Sequence, residues 1–168
     1  SHLGRPSEGN FEEKFSLRPV AEHLSMIINQ CCELIDSPES NKIFNSNSDV
    51  QLLENIRFFH GEKINSNKLG QTLANLGDIY VFDAFGTAHR EQASTHSAIE
   101  QSKIACAGLL LEKENNFLTK ALNNYEDPYV AVIGGAKVST KLELIQHINC
   151  VAKNIIVGGG IANTFISA

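Results

Sequence analysis

Tryptophan is absent from this 168-residue sequence, methionine occurs once, and proline and cysteine occur four times each. The cysteines, Cys31, Cys32, Cys106 and Cys150, show neither CxxC spacing nor the density of secreted disulfide scaffolds. They read as reduced core thiols of a cytosolic protein and not as a metal site. No apolar run reaches the roughly 18 residues of a membrane-spanning helix, and no basic start followed by an apolar segment marks a signal peptide. Positive charge is scarce too: 14 lysines and arginines stand against 19 acids, a formal net charge of -5. That balance opposes general affinity for nucleic acid or membrane, so partners must be recognised locally. The Walker pattern GxxxxGK(S/T), the dinucleotide pattern GxGxxG and the serine nucleophile elbow are all missing. His60, His89 and His96 share no ligand spacing on a common helix, and His23 and His147 fall on helices as solvated or partly packed side chains.

What is present is an alternation of β-branched runs with amphipathic stretches. Leu17, Val20, Leu24, Ile27 and Ile28 recur at spacings of three and four and predict a helix with one apolar face. Cys32 to Ile35 predicts a short strand. Asp36 to Asp49, rich in Ser, Asn and Pro, predicts an irregular connection with a short helix around Asn41 to Phe44. Val50 to Asn55 predicts the next strand, and Leu69, Leu73 and Leu76 the stripe of a helix stopped by Gly77. The run from Ile79 to Phe85 reads as a strand buried on both faces, broken at Gly86 ahead of His89 and Arg90. A long helix is expected from Ala105 to Asn123 on Ala107, Leu110, Leu111, Leu118 and Leu122. Then come a strand from Tyr129 to Ile133, a turn at Gly134 and Gly135, a helix on Val138, Leu142, Ile145 and Ile148, and a strand from Ile155 to Val157 ahead of three glycines. Strands alternating with helices of this length predict an α/β fold, with Rossmann-like layers of parallel sheet and helices on both faces. The Asn-rich, Pro-containing stop after residue 123 separates two such stretches, so the expected organisation is 1–104, a joining helix at 105–124, and 125–168. Both ends read as cut, the first at SHLGRP without an initiator methionine and the last inside an apolar run, so a piece of a longer chain is expected.

Two sets of residues carry chemistry. Of four arginines, Arg5, Arg57 and Arg90 each fall within a few residues of a glycine at a presumed strand end, where open parallel sheets hold ligands; Arg18 is the exception. If those strands are parallel neighbours, the three guanidiniums converge with His2 and His89 into a cationic site on an acidic protein. Arginine suits phosphate and carboxylate alike, because its planar fork offers two charge-assisted hydrogen bonds to either. The second set is GGAKVSTK, Gly134 to Lys141, between a strand and a helix. Lys137 and Lys141, four apart in the first helical turns, would repel each other and oppose the positive end of the helix dipole. A bound nucleotide phosphate is the simplest compensation.

SHLGRP, LLENIRFFHGE, DAFGTAHR, ACAGLLLEKE, GGAKVSTK and IVGGGIANTF, in this order and spanning the chain, closely resemble the phosphoglycerate kinase family. The resemblance implies a two-domain kinase that passes a phosphoryl group between 1,3-bisphosphoglycerate and ADP, giving 3-phosphoglycerate and ATP, when a hinge closes. Residues 1–104 would belong to the phosphoglycerate-binding domain and 125–168 to the start of the nucleotide-binding domain. His2, Leu3, Gly4, Arg5, Arg57 and Arg90 would bind phosphoglycerate, with Arg90 also catalytic. Gly135, Ala136, Lys137 and Lys141 would bind ATP or ADP, Lys137 holding the phosphoryl group in flight. A magnesium ion would accompany the nucleotide, its carboxylate ligand falling after Ala168. The resemblance also implies a strand with Asp and Asn substrate contacts before Ser1, a cytoplasmic monomer at full length, and no turnover by the 168 residues alone. Glu91 departs from the small residue often found there. The alternatives are a nicotinamide-dependent oxidoreductase of Rossmann type, which should carry GxGxxG, and a non-catalytic module binding phosphorylated metabolites.

Overall fold

The computed structural model describes residues 1–40, 42–123, 125, 127–135 and 141–167, without the side chains of Lys42 and Phe44. The chain divides into two compact units, Ser1–Glu112 and Lys113–Ala168.

In the first unit, the amphipathic stretch after Ser16 forms α1 (Arg18–Ile28), with a proline in its first turn where the missing N–H costs nothing. Its start is capped from a distance. The Glu54 carboxylate accepts from the Leu17 amide at 2.7 Å and the Ser16 hydroxyl at 2.6 Å. Leu17 and Ala21 are buried and Leu24 and Ile28 half-buried, whereas Val20 and Ile27 face solvent. The apolar stripe is therefore narrower than the spacing predicts. Asn29 ends the helix in the left-handed conformation, a common stop. Strand β1 (Cys32–Ile35) pairs in parallel with β2 (Val50–Leu53), Cys32 opposite Val50 and Ile35 opposite Leu53. The short helix α2 (Lys42–Asn45) lies in the connection between them.

Helix α3 (Asn67–Ala74) buries Leu69 and Leu73 together with Ile56, Ala93 and Ala98, and Leu53, Phe59, Leu76 and Tyr80 pack around that core. Strand β3 (Tyr80–Phe82) pairs in parallel with β4 (Ala105–Ala107). Two expectations are corrected here. The run from Ile79 is a strand for only three residues and is not buried on both faces: Ile79 is 56% and Val81 57% exposed. It ends because Phe85–Thr87 turns into a 3-10 helix and Asp83 is committed elsewhere. Its Oδ1 accepts from the Leu111 amide at 2.8 Å, which caps the first turn of α5 (Leu109–Asn123). That cap also explains why Ala105–Ala107 is a strand instead of the start of the long helix. A π-helical turn at Ala93–Ser97 leads into α4 (Ala98–Gln101). Of the four cysteines, all free, only Cys32 is buried; Cys31, Cys106 and Cys150 are exposed and are not core thiols.

In the second unit, β5 (Val130–Gly135) pairs in parallel with β6 (Asn154–Gly159) over six residues. Gly134 and Gly135 thus continue the strand and do not form the expected turn. Helices α6 (Leu142–Asn149) and α7 (Gly160–Ser167) flank the pair. Ala131, Ile133, Ile148 and Ile161 form its core. Among the described residues the strands make three separate two-stranded sheets, and no helix is long and apolar enough to cross a membrane.

Candidate functional site

The loop 1–5 is fastened to the end of β2. The Ser1 carbonyl accepts from the Ile56 amide at 3.1 Å, and the Leu3 carbonyl from the Asn55 carboxamide at 2.8 Å. Gly4 has a φ of 62°, and a Cβ there would lie 2.2 Å from Cε1 of the Phe15 ring, so glycine is demanded by both backbone and space. Its carbonyl accepts a hydrogen bond from Nη1 of Arg57. Arg57 itself sits in the 3-10 turn Ile56–Phe58 that follows β2. Arg90 follows the turn after β3, its amide donating to the Thr87 carbonyl at 2.9 Å and its carbonyl accepting from the Thr95 hydroxyl at 2.5 Å. Thus Arg57 and Arg90 arrive from strands of different sheets, not from neighbouring strands as the sequence suggested, and still converge.

The electrostatics record that convergence. Arg57 is held below its ordinary value, first by burial and then by the guanidiniums of Arg90 and Arg5, with Glu62 pulling the other way. His2 is lowered by burial first, then by Arg57, the chain's amino group and Arg90. None of the three arginines has a carboxylate within ion-pair distance among the described residues. A cavity of about 340 Å³ opens between Arg57 and β3, lined by His2, Arg57, Glu62, Asp83, Thr87 and Thr95 among others but not by Arg5 or Arg90. A larger cleft of about 500 Å³ lies over Phe58, Phe59, Ile64 and Leu69. It contains none of the arginines, whereas the smaller cavity is lined by Arg57 and His2 together with the carboxylates of Glu62 and Asp83. Leu3 contributes its carbonyl and is itself 44% exposed. His89 is exposed beyond the turn.

Three residues that sequence reasoning did not single out support this cavity. Asn55 is fully buried and Glu62 is 2% exposed. Glu62 accepts from the Ser94 amide at 3.0 Å and its hydroxyl at 2.6 Å. Burial pushes its carboxyl up despite those two bonds. Tyr80 donates to the Ser94 carbonyl at 2.7 Å, and burial followed by the Glu62 charge pushes its phenol up to about 12. The position of Asn55 at the end of LLEN, two before Arg57, was the available signal. Glu62 carried none, since a glutamate after a glycine usually marks solvent.

In the second unit, Gly159 has a φ of 65° and a Cβ there would stand 3.1 Å from the Gly135 carbonyl. The two strand ends therefore meet as bare backbone. Lys141 donates from Nζ to the Gly134 carbonyl. It stands at the N-cap of α6, one residue before the helix begins, and not within its first turn. The expected pairing of Lys137 and Lys141 on one helical face therefore lacks its second member. Ala136 and Lys137 lie outside the described residues. No three His, Cys, Asp or Glu side chains converge as metal ligands among the described residues.

Parallel strand–helix units with Arg57 and His2 in a cavity at the strand ends define an α/β protein of Rossmann-like class. The chain belongs to the phosphoglycerate kinase family. The family model described as "Phosphoglycerate kinase" matches residues 1–168. A curated relative of that name from Psychrobacter sp. is 51% identical over 172 residues, and one from Desulfovibrio desulfuricans is 49% identical over 168. In each case all of this chain is covered but only 43% of the relative. The structure of phosphoglycerate kinase from Coxiella burnetii superposes with a TM-score of 0.83 at 47% identity, over 99% of this chain and 42% of that one. That from Pyrococcus horikoshii superposes at 0.77 and 28%, over 98% and 43%. The chain therefore spans less than half the length of these relatives.

Proposed function

We propose that the native-length protein transfers a phosphoryl group between 1,3-bisphosphoglycerate and ADP, giving 3-phosphoglycerate and ATP. The observation that carries this reading is the cluster of Arg5, Arg57 and Arg90 without carboxylate partners beside His2, in a chain of the phosphoglycerate kinase family. Three fixed positive charges and a histidine suit a ligand that bears both a carboxylate and a phosphate. In this reading, His2, Leu3, Gly4, Arg5, Arg57 and Arg90 bind phosphoglycerate. Gly135, Ala136, Lys137 and Lys141 bind the phosphates of ATP or ADP, and Lys137 and Arg90 stabilise the group in transfer. No covalent intermediate is required, because in-line transfer depends on positioning and charge stabilisation. A magnesium ion would arrive with the nucleotide. The described residues of this chain offer no three-ligand set for it, so no step here is assigned to it. Residues 1–104 and 125–168 would serve two domains joined by the helix between them. The native-length protein is further proposed to be a cytoplasmic monomer that binds neither nucleic acid nor membrane.

A coupled assay of the native-length protein should show turnover dependent on both 3-phosphoglycerate and ATP, and none with the 168 residues alone. Arg57→Ala should weaken phosphoglycerate about 10- to 100-fold, the loss of one charge-assisted contact, with little change in nucleotide affinity. Equal loss of both ligands by calorimetry would refute the assignment.

A further inference from the structure

The Asn55 side chain uses both faces of its carboxamide. Nδ2 donates to the Leu3 carbonyl at 2.8 Å and the Phe15 carbonyl at 2.9 Å, while Oδ1 accepts from the Arg57 amide at 3.1 Å. Leu3 is bonded covalently to Gly4, whose carbonyl takes the Arg57 guanidinium. The contacts close into a ring: Asn55 to Leu3, Leu3 to Gly4, Gly4 to the Arg57 side chain, and the Arg57 amide back to Asn55. We infer that Asn55 is a positioning residue for the phosphoglycerate clamp, setting where the Arg57 guanidinium stands relative to Gly4 and Arg5. This rests on the function proposed above.

The physical case is one of connectivity. The loop 1–5 and the turn at Arg57 are far apart in sequence, and the described hydrogen bonds that join Leu3 and Gly4 to that turn all pass through Asn55 or Arg57. Arg57 has a long, rotamer-rich side chain, which on its own would lose entropy on gripping an anion. Held at its amide and at its Nη1 by the same ring, it is oriented before the ligand arrives. Burial makes the device stiff. Asn55 is 0% exposed, so no water is at hand to replace a lost partner, and a carboxamide in that place can satisfy a donor on one side and two acceptors on the other. The third bond, to the Phe15 carbonyl, holds the backbone from which the ring beside Gly4 projects. One side chain thus orders both walls of the loop.

Steady-state kinetics of the native-length protein test this with Asn55→Ala, Asn55→Ser and, as a matched control, Leu73→Ala in the core of the same unit. The expected result is a rise of about tenfold or more in KM for 3-phosphoglycerate in the Asn55 variants, with KM for ATP within about twofold. Leu73→Ala should lower the melting temperature without splitting the two constants. The inference is overturned if the Asn55 variants leave the phosphoglycerate KM unchanged or shift both constants together. It is overturned too if neither variant folds, because the carboxamide would then hold the fold and not set the site. Absence of phosphoglycerate-dependent turnover in the unsubstituted protein would instead sink the functional reading, and this inference with it.

Discussion

At Gly4 a single methyl group is unacceptable. A φ of 62° costs a non-glycine residue about 1–2 kcal/mol, and the clash with Phe15 adds roughly 1–3 kcal/mol of overpacking. Gly4→Ala should therefore lower the melting temperature and weaken phosphoglycerate together, as calorimetry of both would register. His2 gives a proton-linked prediction. Its folded form resists protonation, so the stability tied to its neutral state is present above its ordinary 6.5 and is lost as pH falls through that value towards the lowered folded one. An anion between the guanidiniums relieves that repulsion and raises the His2 value. Binding near or below pH ~6.5 should take up protons, and titrations in buffers of different ionisation enthalpy would reveal it. Glu62 has the opposite sign. Its carboxyl is pushed up by burial, so the folded state holds its proton more tightly and stability declines as pH rises from 4.5 through the raised value. Glu62→Gln, which can still accept from the Ser94 amide, should flatten that decline in thermal melts from acidic to neutral pH. The guanidinium cluster was legible because arginine is so rare here. The groups beneath it were not, because burial of Asn55 and Glu62 is decided by segments remote in sequence.

The elements repeat that lesson. Strands β1, β2, β5 and β6 and helices α1, α3 and α6 were legible from their apolar runs and stripes, with α1 stopped at Asn29 and β5 and β6 ending in glycine. Strand β4 was read as helix because Ala, Cys and Ala carry no strand signal of their own; pairing with β3 decides it. The turn at Ala93–Ser97 and α4 were missed for a similar reason. The Ser97 amide and hydroxyl donate to Asn65 Oδ1, the Thr95 hydroxyl accepts from the Gln92 amide, and the segment presents little apolar pattern. Lys141 was placed one step too deep, because the repeat of Leu142, Ile145 and Ile148 does not say which residue precedes the first turn. The Asp83 cap on α5 can be weighed directly. Asp83→Ala should cost about 1 kcal/mol, a fall of roughly 2–8 °C in a domain of this size, measurable by calorimetry. Gly108→Ala should be worse, since a Cβ there would meet the Asp83 carboxyl at 2.3 Å.

Across the molecule, a net charge of -5 surrounds a local cluster of positive charge, and the two act differently on the proposed ligand, which carries both a carboxylate and a phosphate. Distant acids repel it weakly and are screened over about 8–10 Å in physiological salt. The guanidiniums act at contact. The phosphoglycerate KM should therefore rise with ionic strength, more steeply than the KM of a neutral analogue would, and steady-state kinetics across a salt series would show it. The pairing of strands two by two has another consequence. Among the described residues, each such sheet leaves two rows of backbone amides and carbonyls without a neighbouring strand, and beside β3 and β4 those rows carry Ile79, Val81 and Ile104, all more than half exposed. Open, apolar strand borders are templates on which a further extended segment can register. At high concentration these 168 residues should self-associate through them, and a lysine at Val81, which breaks the apolar row with a charge, should suppress the light scattering that reports it.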